Sequence, residues 1–358
     1  MQKKIAIVGA GLIGKRHIEA ASYVDNISIS AIVDTSCDAS TYADENSIPL
    51  FPSIDALFKS QNPDGIILCT PTNLHVVQGL ECISHNCPVL IEKPIAVEAT
   101  KAEGLVQFAK ERSVPILVGH HRRHNPIIQC AKQAIEDGQL GEIRSVNAMC
   151  WFYKPDEYFE IAPWRKALGA GPISVNLVHD IDLIRYLCGE VKSVVAVSTP
   201  AKRGFENEDL AAAILRFENG VIGTISVSDS AVSPWSWEMT SGEYPVYPKT
   251  DQFCYQISGS KGALSIPDLK LWQHENEPDW WSPISATMQP YKSADPLIMQ
   301  LSHFAEVIEG NEIPLVSGEE GLKTLQVIEA IQTSAAKGVE VNIEELYASE
   351  PQVSGIFA

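Results

Sequence analysis

The sequence predicts an α/β protein with a doubly wound parallel sheet over residues 1–120 and an α+β domain over residues 121–358. Two observations predict it. The first 120 residues alternate short apolar runs with longer amphipathic stretches, the rhythm of parallel strands joined by covering helices. After His120 that rhythm gives way to short β-rich segments punctuated by turn residues, with helical stretches before and after them. A chain of 358 residues is long enough for two cores.

Taken in order, residues 3–8 read as the first strand and 12–22 as its helix. Residues 27–33, 65–69, 88–91 and 115–118 read as later strands, with helices over 73–84 and 98–112. In the second half, 126–137 is helical, 143–152 is a strand and 172–187 is a strongly periodic helix. Short strands follow at 191–198, 210–217, 220–228, 253–258 and 262–266. The turns Glu218-Asn219-Gly220 and Ser260-Lys261-Gly262 join antiparallel neighbours. Late helices over 297–309 and 319–335 precede a strand at 339–343, and these helices are expected to pack back toward the first domain.

Composition excludes some classes. Lys and Arg number 27 against 45 Asp and Glu, and a net charge of -18 argues against a broad basic surface for nucleic acid. Apolar runs all fall short of a membrane span. Met1-Gln2-Lys3-Lys4-Ile5 runs straight into a strand without a small-residue cleavage site, and the eight cysteines have no close paired spacing. The expectation is a cytoplasmic protein with neither membrane nor nucleic-acid partners.

Gly9-Ala10-Gly11-Leu12-Ile13-Gly14 places a G-x-G-x-x-G run between the first strand and its helix. There Gly9 permits the tight turn, Gly11 admits a pyrophosphate to the backbone, and Gly14 lets helix and strand pack closely. The helix N-terminus supplies N–H groups for the phosphates. Asp34 ends the next strand, where a carboxylate accepts from an adenosine ribose and repels a 2'-phosphate, so NAD is favoured over NADP. Thr70-Pro71-Thr72-Asn73 and Glu92-Lys93-Pro94 end further parallel strands, the edge where such folds bind ligands. Thr72 or Asn73 is a candidate helix cap.

Together with Thr70-Pro71-Thr72-Asn73-Leu74-His75, Glu92-Lys93-Pro94, Gly169-Ala170-Gly171 and His179-Asp180-Ile181-Asp182, the glycine run resembles the glucose-fructose oxidoreductase and inositol dehydrogenase (Gfo/Idh/MocA) family. The resemblance spans nearly the whole chain. It implies a Rossmann domain, a C-terminal domain built on a large open, mostly antiparallel sheet, a bound nicotinamide cofactor, a homodimer or homotetramer, and a sugar, cyclitol or related polyol as substrate. By the same resemblance, Lys93 is an electrostatic positioner and His179 the proton acceptor. His75 and Glu92 join the glycine loop, Asp34 and Lys93 as cofactor contacts.

Removing a hydride from a carbinol carbon requires loss of the hydroxyl proton, a task suited to an imidazole, and no metal is needed. Asn176 and His179, three residues apart, are able to face one pocket; the competing reading is a solvated helix face with a local His179 to Asp182 contact. Arg122, Tyr153, Trp164 and Arg165 are further substrate-binding candidates, with a basic surface chain or a packing network as the alternative. Many family members place Asp four residues before the catalytic histidine, whereas this chain has Val175. That departure keeps two alternatives beside dehydrogenation: a tightly bound cofactor used for transient oxidation during isomerisation or bond cleavage, and a non-catalytic nicotinamide-binding regulator.

Overall fold

In a computed structural model, residues 2–348 are described, and they divide into two compact units. The first comprises residues 2–124 with Ala294–Leu325 and the second Asn125–Ser293 with residues 326–348, the division falling inside the helix Gly318–Lys337.

The first unit is built on six parallel strands: β1 (Lys3–Val8), β2 (Ile27–Val33), β3 (Leu50–Phe51), β4 (Gly65–Leu68), β5 (Val89–Ile91) and β6 (Ile116–Val118). Their order, β3-β2-β1-β4-β5-β6, reverses direction between β1 and β4. Ile5, Ile7, Ile66, Ile67, Leu68 and Leu90 are fully buried, as expected of strands covered on both faces. Helix Pro296–Glu309 packs with the first helix, Leu12–Ala21, and buries Leu301 and Phe304 completely. Gly65 makes room for it: a Cβ there would lie 3.0 Å from the Phe304 ring. Each such side chain contributes roughly 1.5–3 kcal/mol through burial.

The second unit carries a nine-stranded sheet of β7 (Ile143–Trp151), β8 (Val191–Pro200), β9 (Glu208–Phe217), β10 (Ile222–Ser228), β11 (Tyr255–Gly259), β12 (Gly262–Ile266), β13 (Lys270–His274), β14 (Ile284–Met288) and β15 (Val341–Asn342). The order is β14-β13-β12-β11-β7-β10-β9-β8-β15, antiparallel throughout except for β7 beside β10. Both expected turns close hairpins, β9 to β10 and β11 to β12. Along β9 buried and open residues alternate strictly, so one face meets helices and the other is open. The core gathers Ile128 from helix Pro126–Glu136, Ile181 from helix Val178–Cys188 and Ile331 from the last long helix against the covered face.

The helix expected over 172–187 is corrected at its start. Residues Ile173–Leu177 form a π turn, and regular α geometry begins at Val178. The hydrophobic period does not separate an extra residue in one turn from a small drift in helix phase, which is why the pattern alone reads as continuous.

Candidate active site

In the first unit the carboxyl ends of β1, β4 and β5 lie side by side on one sheet edge, because these strands are adjacent and parallel. At the end of β1 the three glycines serve three purposes. Gly9 has φ of +92° and lies so close to the Cys69 backbone that a Cβ would be 3.0 Å from it. A Cβ on Gly14 would collide with the Gly9 carbonyl. At Gly11 a Cβ would meet nothing within 4 Å, leaving an open approach to the backbone. Gly11 is also the N-cap of Leu12–Ala21, without a side-chain cap or an acidic residue in the first turn. Exposed Leu12 and partly exposed Ile13 follow. These features fit a dinucleotide: unspent N–H groups, an open backbone and the positive end of a helix.

Asp34 stands beside this loop. One of its oxygens accepts the Ala10 N–H and the other the Ser36 N–H, each at 2.8 Å. Burial pushes its carboxyl up, but these N–H groups outweigh burial and hold it below the usual aspartate range. The carboxylate is therefore ionised and aimed, with lone pairs left to accept from a ribose.

At the end of β4 the expectation of a Thr72 or Asn73 cap is corrected. Helix Thr72–Ser84 is capped by Pro71 without a side-chain hydrogen bond, since proline holds Thr70 extended and the helix starts immediately after it. Thr70 Oγ1 donates to Gln78. His75 is 1% exposed, with Nε2 2.8 Å from the Thr70 carbonyl and Nδ1 2.9 Å from that of Pro94. Its ring lies between the carbonyls of the two strand-end turns and bridges them from the buried side. Glu92 is likewise directed inward: it is 7% exposed, its Oε1 is 2.8 Å from His17 Nε2, and its Oε2 accepts the Lys93 N–H at 3.2 Å. Lys93 itself is half-buried at the sheet edge. Beyond β6, the turn His121–His124 folds inward with Arg122 and Arg123 buried, and Arg123 pairs with Glu320 at 2.9 Å. The reading of this stretch as an exposed basic chain is thus corrected.

In the second unit Tyr153 leaves β7 partly exposed, with the Arg203 guanidinium 5.7 Å from its ring centre. Trp164 and Arg165 lie in the turn Pro163–Lys166. The Arg165 guanidinium stacks 4.0 Å from the Tyr158 ring centre and donates to the Tyr158 carbonyl at 2.8 Å. Gly169 has φ of +82°. Gly171 abuts the Glu208 carboxyl so tightly that a Cβ would collide with it, and Glu208 Oε1 accepts the Ile173 N–H at 3.0 Å, capping the helix start. Asn176 lies in the π turn, with its Oδ1 buried and outside any hydrogen bond. His179 is 8% exposed, Asp180 and Asp182 are buried, and Asp180 accepts from Tyr255. A solvated helix face is therefore not what these residues form.

Sequence reasoning missed His17, Glu208 and the buried cluster in which Lys154 lies 3.4 Å from Asp229 while Arg203 Nη1 donates to it at 3.2 Å. Their partners stand dozens of residues away, so no local spacing carries the signal. His17 alone had one, a histidine three residues beyond the last loop glycine.

A doubly wound unit with a glycine loop at a helix N-terminus and an aimed strand-end carboxylate defines a dinucleotide-binding protein. Residues 3–120 match the family model described as "Oxidoreductase family, NAD-binding Rossmann fold", and residues 132–343 match "Oxidoreductase family, C-terminal alpha/beta domain". The chain belongs to the Gfo/Idh/MocA family of oxidoreductases. The uncharacterized oxidoreductase YrbE of Bacillus subtilis is 25% identical, the match covering 96% of this chain and 98% of YrbE. The myo-inositol 2-dehydrogenase of Thermotoga maritima is 24% identical, over 96% of this chain and 99% of that protein. Among solved structures, the WlbA dehydrogenase of Bordetella pertussis in complex with NADH and UDP-GlcNAcA is 27% identical with a TM-score of 0.77, covering 96% of this chain and 99% of WlbA. An Agrobacterium radiobacter oxidoreductase shares the fold at 21% identity, with a TM-score of 0.82 over 97% of this chain and 100% of its own. The protein is thus an oxidoreductase with a Rossmann domain that binds NAD or NADP.

Proposed function

We propose that the protein is an NAD-dependent dehydrogenase that transfers a hydride between the cofactor and a secondary hydroxyl, or the matching carbonyl, of a sugar, cyclitol or related polyol. The observation that carries this reading is the placement of Lys93 on the same sheet edge as the glycine loop, with its backbone fixed by Glu92. The aimed carboxylate of Asp34 supports NAD, and the inositol and UDP-sugar relatives support a polyhydroxylated substrate.

A bound nicotinamide supplies the two-electron acceptor or donor. Lys93 places an ammonium beside the reacting oxygen and favours negative charge on it as the O–H bond weakens. His179, nearly buried on its helix, takes the hydroxyl proton at a ring nitrogen. Asn176 offers a buried amide oxygen to a second substrate hydroxyl. Tyr153 and Trp164 give a sugar's C–H face an apolar wall, with Arg165 and Arg122 as further polar contacts. In this reading Val175 stands where many relatives carry a relay carboxylate, so the proton leaves the imidazole by a route other than residue 175.

The test is a polyol panel assayed with NAD and with NADP, following nicotinamide absorbance and substrate consumption together. Net cofactor reduction is expected, and Lys93→Ala and His179→Ala should each lower turnover by about 10²-fold or more with cofactor binding retained. Substrate rearrangement without absorbance change, or wild-type turnover and pH dependence in His179→Ala, overturns it.

A further inference from the structure

Between the glycine loop and Lys93 lies a buried contact that the proposed chemistry leaves unused. His17 is fully buried on the helix that begins at the loop, and its Nε2 reaches Glu92 Oε1 at 2.8 Å across 75 residues of sequence. The other Glu92 oxygen holds the Lys93 N–H. Gly119 closes a third side, where a Cβ would lie 3.0 Å from the Glu92 carboxyl. A carboxylate this deep in the protein takes up a proton unless partners offset its burial. Here burial pushes it up, while the hydrogen bond and charge of His17, with His121 and Lys93, outweigh burial and hold it below the usual range. The Cys69 thiol is pushed up by burial and by the Glu92 charge. Ionised Glu92 only accepts, so the His17 Nε2–H donates to it.

We propose that His17 and Glu92 are positioning residues that bind the Lys93 backbone to the phosphate-binding helix and set the Glu92 carboxylate where it favours positive charge on Lys93. Cofactor loop and reacting lysine are then one rigid piece: a shift of the helix end moves Lys93 with it. The inference rests on the reading of Lys93 given above. Both side chains are buried against each other, so their effect is expected in turnover and in Lys93 ionisation, not in cofactor affinity.

The test uses the full chain and three variants, Glu92→Gln, His17→Ala and His17→Gln, with Lys93→Ala as reference. Lys93 ionisation is read directly by NMR of the reductively ¹³C-methylated protein, and NADH affinity by fluorescence. Glu92→Gln, which changes charge with little change of shape, should lower the Lys93 titration midpoint, and the matching limb of the pH–rate profile should move the same way. His17→Ala should cost roughly tenfold or more in kcat with NADH affinity held to about twofold, and His17→Gln, which keeps an N–H donor near the Nε2 position, should recover most of that loss. An unmoved Lys93 titration in Glu92→Gln overturns the proposal, and so does wild-type turnover in His17→Ala or equal damage in both His17 variants. If His17→Ala fails to fold, Glu92→Gln decides. Wild-type turnover in Lys93→Ala would instead reject Lys93 as the reacting group, and this inference with it.

Discussion

The proposed preference for NAD turns on a single side chain, Asp34. Its two oxygens are oriented by Ala10 and Ser36, and those N–H groups hold the negative charge at the carboxyl end of β2 across the neutral range. A 2'-phosphate there needs a cation to offset the repulsion. Arg16 is committed to Glu19 and Asp295, and Lys15 stands over the Tyr42 ring at 4.8 Å. NAD is therefore expected to bind more tightly than NADP, and Asp34→Ala to weaken NAD by about tenfold without improving NADP, since deletion removes an acceptor and adds no cation. Calorimetry with both cofactors reads this. A wild-type preference for NADP of about tenfold, ~1.4 kcal/mol, would defeat the repulsion argument.

At the scale of elements, the start of the helix bearing His179 depends on a residue that arrives from another strand. Glu208, first in β9, accepts the Ile173 N–H, and Gly171 is a glycine because the Glu208 carboxyl occupies the space of its side chain. Gly171→Ala should expel that carboxyl and cost about 1–2 kcal/mol, the worth of a lost helix cap, seen as a lower denaturation midpoint in urea. An unchanged midpoint would show that Glu208 caps nothing of consequence. This dependence was not legible in the sequence, because the cap lies 35 residues from the N–H it satisfies. Local signals fared differently. The first strand, glycine loop and Asp34 were readable because strand, turn and helix follow one another directly. The helices Cys37–Glu45 and Ile54–Ser60 went unread although Ser36 and Ser53 cap them through their own hydroxyls, since both are short and weakly periodic. The strand β14 was missed for a related reason: Ile284–Met288 is exposed at every position, so burial imposes no alternation there, and β13 is five residues long with Leu271 alone buried.

At the scale of the whole molecule, among the described residues the open face of the nine-stranded sheet carries exposed apolar side chains. Val195 and Val197 on β8 pair across the strand with Ile214 and Ala212 on β9, while Ile222 on β10 pairs with Arg216. Val195, Val197, Leu210, Ile214 and Ile222 are all exposed, between 37% and 66%. Neighbouring strands thus gather these residues into an apolar patch of the kind that marks an association surface. Exposed Arg216 at the patch edge suits the polar rim such surfaces carry. We expect a homodimer or homotetramer that buries this face, in keeping with the strand-rich second half. The paired change Val197→Glu with Ile214→Glu places like charges across the patch of every protomer, so it should shift the assembly toward monomer while leaving the covered face of the sheet untouched. Light scattering coupled to gel filtration reads the mass directly. A wild-type monomer throughout the working concentration range would rule out the assembly, and an oligomer that survives both glutamates would move the interface elsewhere. NADH binding in the double variant separates the two functions of the chain: it should persist, because the glycine loop and Asp34 are built within the first unit alone.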